Sequence, residues 1–169
     1  MNMKDKKLDI AIVPGSFDPI TLGHIDIIRR AAENNRKVYL AVMINQEKKY
    51  MFSMEERERI AKAAVADIPN AEVISSAGML WELARDLNAR SIVKGYRNNI
   101  DLEYERSMAE YNSAHYPMAQ TILLKSDDTL TQVSSTLVRE KIINGESLEG
   151  LLPESAVNEI KKIIKERQA

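Results

Sequence analysis

Five short apolar runs, separated by stretches of helical periodicity, leave this chain few ways to fold. Leu8 to Val13, Val38 to Ile44, Glu72 to Ile74, Ser91 to Lys94 and Thr121 to Leu124 read as strands of a sheet covered on both faces. Ile25, Ile28 and Ala32 recur at helical spacing after the first run, and that helix is expected to fade at Glu33 to Asn35. Ser53 and Glu56 have the S-x-x-E spacing of a capping box that opens a helix through about Val65. Leu80, Leu83, Ala84 and Leu87 share one helix face, and a long helix is expected from near Asn98 to about His115, before Pro117. Pro153 is expected in the first turn of a last helix striped by Val157, Ile160 and Ile164. Strands and helices alternating in this way form right-handed β-α-β units. The expectation is an α/β protein: a single Rossmann-like domain, residues 1–169, with a five-stranded, mostly parallel sheet flanked by helices.

Composition narrows the chemistry. With 24 Lys and Arg against 25 Asp and Glu, the chain has no general electrostatic affinity for nucleic acid or an anionic membrane, so basic chemistry must be local. It has no cysteine, which removes disulfides, thiolate catalysis and cysteine metal sites. Only two histidines, His24 and His115, argue against a histidine-rich metal site. Met1 to Lys7 has no hydrophobic signal core and no run reaches membrane-spanning length, so a soluble cytoplasmic protein is expected.

The first run leads through Pro14-Gly15 into a loop and then into Gly23-His24, a strand, turn and helix that can aim backbone N–H groups and a helix N-terminus at an anion. The turn has neither the Walker lysine spacing nor G-x-G-x-x-G; it carries T-x-G-H as Thr21-Leu22-Gly23-His24. Ligands of open α/β sheets collect beyond the carboxyl ends of the strands. Four marked stretches fall there: Ser16 with His24, Lys48-Lys49, Lys94-Gly95-Tyr96-Arg97, and Ser134-Ser135-Thr136. Together they suit a polyphosphate. The serines can equally cap a helix, Asp101 and Glu105 can serve a helix dipole, and His115 reads as structural.

The motif Pro14-Gly15-Ser16-Phe17-Asp18-Pro19 with Thr21-Leu22-Gly23-His24 resembles the (H/T)-x-G-H nucleotidyltransferase superfamily. Adding Lys48-Lys49-Tyr50-Met51-Phe52, Lys94-Gly95-Tyr96-Arg97, Asp101 to Glu105 and Val133 to Arg139, nearly the whole chain is similar to the bacterial phosphopantetheine adenylyltransferase family. The resemblance implies an enzyme that transfers AMP from ATP to 4'-phosphopantetheine, giving dephospho-coenzyme A and pyrophosphate, with Mg2+ accompanying ATP. It implies His24 and Lys48 as catalytic residues. Ser16, Phe17, His24, Gly95, Tyr96, Arg97, Glu105, Leu130, Thr131, Gln132, Val133, Ser134, Ser135 and Thr136 would belong to the ATP site. Ser16, Lys48, Leu80 and Lys94 would meet the acceptor. A homohexamer inhibited by coenzyme A is the corresponding family expectation. Lys94 stands where many members carry arginine, replacing a planar fork with a point charge. The rivals within the class are adenylyl transfer to nicotinate mononucleotide and cytidylyl transfer; outside it, a protein that binds ATP without turnover.

Overall fold

A computed structural model describes residues 9–169. Leu8 and the Met1 to Lys7 segment lie outside the described residues. Strands β1 (Ile10–Gly15), β2 (Lys37–Met43), β3 (Ala71–Ser76), β4 (Ser91–Tyr96) and β5 (Gln120–Lys125) form a sheet in the order β3-β2-β1-β4-β5. Every pairing is parallel. The chain therefore winds outward from β1 through β2 to β3, then crosses back to lay β4 and β5 on the other side. The loops after β1 and β4 diverge there, and such a switch point opens a crevice beyond the strand ends.

The helices are α1 (Leu22–Asn34), α2 (Met54–Ala64), α3 (Leu80–Asp86), α4 (Asn99–His115), α5 (Ser135–Ile143) and α6 (Glu154–Gln168), with a short 3-10 turn at Asp128–Leu130. Side chains alternate across each strand, and both faces are apolar. Ala11, Val13, Val38, Leu40 and Val42 pack with Ile25 and Ile28 of α1, Ile60 of α2 and Ile160 and Ile163 of α6. Ile12, Ala41 and Ile92 face the other way, toward Ala84, Ala89 and the half-buried Leu80 and Leu83.

The caps explain where helices start. Ser53 Oγ accepts from Glu56 N–H at 3.1 Å while Glu56 accepts from Ser53 N–H at 2.9 Å, the expected capping box. The Asn98 side chain accepts from Asp101 N–H, and Pro153 precedes α6 as its cap rather than sitting inside its first turn. β1 extends through Pro14 to end on Gly15, and β4 runs through Gly95 to Tyr96. Gly15 stays paired with Val42, and Gly95 with Leu124. Here glycine serves packing: a Cβ at Gly95 would meet Ile27 Cγ1 of α1 at 3.0 Å, and one at Gly15 would meet the Phe17 ring at 3.0 Å. Among the described residues no helix is long and apolar enough to cross a membrane.

Candidate functional site

The loops beyond β1, β2, β4 and β5 open on one cleft of about 680 Å³. From the β1 side come Ser16, Phe17 and, at the start of α1, His24. The segment after β2 brings Lys48, with Lys49 and Tyr50. β4 brings Lys94 and Gly95 and the loop after it Arg97, faced by Asp101 and Glu105 of α4. Leu130, Val133, Ser134, Ser135 and Thr136 close the rim. Residues drawn from four separate loops thus share one concavity. Four of the expected site residues do not line it. Leu80 packs with the apolar cluster on the α3 side of the sheet, and Tyr96 ends β4 with its carbonyl accepting from Ser126 N–H. Thr131 and Gln132 sit in the loop between lining residues, with Thr131 Oγ1 turned back onto the Asp128 carbonyl at 3.1 Å. His115 also lies elsewhere, its Nδ1 on the Tyr111 carbonyl and its ring stacked on Trp81.

His24 is set by the helix it begins. Its Nδ1 accepts from the N–H of Thr21, the α1 N-cap, at 3.0 Å, and the Phe17 ring meets it edge-on at 5.0 Å. Burial first, and the positive charge of Arg97 second, push His24 down to about 4. The imidazole is therefore neutral near pH 7. Because Nδ1 is an acceptor, the proton sits on Nε2, leaving one directed donor at a helix N-terminus.

The cations at β4 are already engaged. Lys94 Nζ lies 2.8 Å from Glu105 Oε2, and Arg97 Nε lies 3.3 Å from Asp101 Oδ2, which also accepts Arg97 N–H. Lys48, by contrast, is exposed on the segment joining β2 to α2. That segment is fastened at both ends. The Tyr50 hydroxyl accepts Asn45 N–H at 2.7 Å. Farther on, buried Asp18 takes Met51 N–H at 2.9 Å and Phe52 N–H at 3.0 Å, while Arg167 of α6 donates to the Met51 carbonyl and pairs with Glu56.

Three residues that hold the β1 loop were not singled out from sequence. Arg139 donates to the Asp18 carbonyl at 2.8 Å and lies 3.9 Å from its carboxylate. Arg57 donates from one nitrogen to the carbonyls of Ser16, at 2.8 Å, and Met43, at 3.0 Å. Asp18 itself was read only as part of a motif. A signal for Arg57 did exist: it shares helical spacing with Ile60, Ala61 and Ala64 on the buried stripe of α2, an unusual place for a guanidinium. The serines divide in use. Ser134 Oγ caps α5 by accepting Leu137 N–H, and Ser135 Oγ donates to the Pro19 carbonyl at 2.8 Å. Among the described residues no three His, Cys, Asp or Glu side chains converge on a point that could hold a metal ion.

Residues 12–141 match the cytidylyltransferase-like family. The chain is 38% identical over 155 residues to a phosphopantetheine adenylyltransferase of Clostridium tetani, covering 92% of this chain and 97% of the relative. It is 43% identical over 145 residues to one from Caldanaerobacter subterraneus subsp. tengcongensis, covering 86% and 91%. With one from Streptococcus uberis it is 37% identical over 167 residues, 98% of this chain and 99% of the relative.

Proposed function

The chain belongs to the phosphopantetheine adenylyltransferase family of nucleotidyltransferases, and on that footing we propose that it transfers AMP from ATP to 4'-phosphopantetheine, forming dephospho-coenzyme A and pyrophosphate. The observation that carries this reading is the gathering of Ser16, His24, Lys48, Lys94 and Arg97 on one cleft. Such a lining matches two polyanionic reactants.

In the proposed mechanism a phosphate oxygen of the acceptor attacks the ATP α-phosphorus in line. One O–P bond forms, the bond to the β-phosphate oxygen breaks, and pyrophosphate leaves with that electron pair. The attacking phosphate is anionic near neutral pH, so no strong general base is needed. The protein's work is orientation and charge stabilisation. His24 donates from Nε2 to an α-phosphate oxygen. Lys48 bridges the attacking and attacked phosphates, with Ser16 beside both. Lys94 holds the acceptor phosphate, and Arg97 and the start of α5 take the outer phosphates of ATP.

Magnesium enters this scheme on the nucleotide. Asp101 and Glu105 are paired with Arg97 and Lys94, so the donor set fits an ion held by triphosphate oxygens and water rather than by a protein cage. Bound there, it would neutralise part of the phosphate charge. The same reading places the enzyme in the cytoplasm as a homohexamer open to inhibition by coenzyme A, and sedimentation at several concentrations tests the assembly.

The deciding experiment measures pyrophosphate release with phosphopantetheine, nicotinate mononucleotide and glycerol phosphate as acceptors, with ATP and CTP as donors. Turnover is expected with phosphopantetheine and ATP. Preference for another pair, or calorimetric ATP binding without product at saturating substrates, would overturn the assignment. Lys94→Ala is expected to raise the acceptor KM about 10-fold, the weight of one charged hydrogen bond, with a smaller change for ATP. An unchanged acceptor KM would remove Lys94 from the acceptor site.

A further inference from the structure

Arg57 is the largest fully buried side chain among the described residues, 1% exposed, and it makes no ion pair with a carboxylate. Its Nη1 serves the Ser16 and Met43 carbonyls, its guanidinium lies 4.0 Å from the centre of the Tyr50 ring, and its Nε has no hydrogen-bond partner. Burying a cation without a counter-charge is costly, and a residue serving only to fill space would be apolar. What it touches is informative. Ser16 and Tyr50 both line the cleft, whereas Arg57 stands behind them.

The Ser16–Phe17 peptide converts that contact into a direction. The only cis bond among the described residues is Asp18–Pro19, so Ser16–Phe17 is trans and planar, and its C=O and N–H point opposite ways. Arg57 draws the carbonyl inward. The Phe17 N–H is thereby turned outward, on the side where Ser16 and Phe17 border the cleft. Phe17 also has φ 47°, a left-handed conformation that an aromatic residue rarely adopts and that a freely relaxing loop would abandon. The burial of its ring, 2% exposed, and the grip on the preceding carbonyl keep it there.

We propose that Arg57 is a positioning residue for the nucleotide: through the Ser16 carbonyl it holds the Phe17 N–H toward a phosphate, and its uncompensated charge lies one peptide behind that phosphate. This rests on the adenylyltransferase reading for the identity of the ligand. The charge adds to the positive potential of the cleft without exposing another flexible cation. Lysine cannot replace it fully, because an ammonium lacks the planar fork and stacks poorly on Tyr50.

The test compares ATP with adenosine by calorimetry on the wild type, Arg57→Lys and Arg57→Met, below each protein's unfolding midpoint. Both variants are expected to bind ATP about 10- to 100-fold more weakly, as befits a lost charged hydrogen bond, while adenosine affinity stays within about twofold. Equal losses for both ligands, or no loss of ATP affinity, would overturn the proposal in favour of a purely structural arginine. If the variants do not fold, the wild type still decides. On adding ATP, the Phe17 amide resonance should move downfield, and an unmoved Phe17 amide overturns the proposal. These readouts need no acceptor, so failure of the acceptor assay and failure of the Arg57 role remain distinguishable.

Discussion

His24→Ala is expected to lower kcat by about 10²- to 10³-fold, the usual cost of deleting one preorganised donor to a reacting oxyanion, with a much smaller change in the KM for ATP. The argument is geometric. Thr21 N–H occupies Nδ1, so Nε2 is the only donor, and the helix that positions it begins at the same residues. Single-turnover measurement of pyrophosphate release checks the effect, and a variant with wild-type kcat would remove His24 from the chemistry. His24→Gln, which keeps a donor at similar reach, should recover part of the loss.

The pH behaviour follows from the same environment. With His24 held down to about 4, the ring is neutral across pH 5 to 8, and the kcat profile should show no limb near 6.5 from this residue. Its effect on stability has a definite sign. Between about pH 6.5 and 4 the unfolded chain binds the proton and the folded chain does not, so stability is full above 6.5 and falls as pH drops through that window. The loss is on the order of 3 kcal/mol for a shift of this size. Urea denaturation at several pH values should show a steeper acid loss for the wild type than for His24→Gln, which cannot titrate. Parallel curves would refute the assignment.

Asp18→Ala carries the second large effect. Its carboxylate is the acceptor for two neighbouring backbone N–H groups, Met51 and Phe52, and both would be left without it. Each stranded donor costs about 1–3 kcal/mol, so a total near 3 kcal/mol is expected. The functional loss has a separate cause. Asp18 belongs to the β1 loop and Met51 to the segment carrying Lys48, so the substitution uncouples the two sides of the cleft and should reduce kcat/KM for both substrates. Denaturation followed by the single tryptophan, Trp81, gives the stability. Amide exchange at Met51 and Phe52 gives the local effect, and undiminished protection there would show that Asp18 does not tie the segment down.

The fold was legible where its signals were local. A buried apolar run, a turn and a helix opening at T-x-G-H are contiguous, and β1 and α1 appear within two residues of expectation. The run of β4 on through Gly95 is less legible, because sequence does not reveal that Ile27, sixty-eight positions earlier, presses on the place a Cβ would occupy. The gathering of loops into one cleft was legible as well, since parallel strands send their carboxyl ends to one side. The pairing inside the cleft was not. Ser134 and Ser135 are neighbours with the same hydroxyl, yet one caps its own helix and the other reaches Pro19, and nothing in their immediate surroundings separates the two. Leu80 enters the site only by resemblance; what its spacing does show, a place on the apolar face of α3, is where it packs.

The cations on and just after β4 have a mechanical consequence. Lys94 of β4 is tied to Glu105, and Arg97 of the following loop to Asp101, one turn apart on α4. The first pair is a strut between sheet and helix at the cleft. On the proposed reading, a phosphate drawing on Lys94 would share its donors with Glu105, so filling the cleft would load that strut.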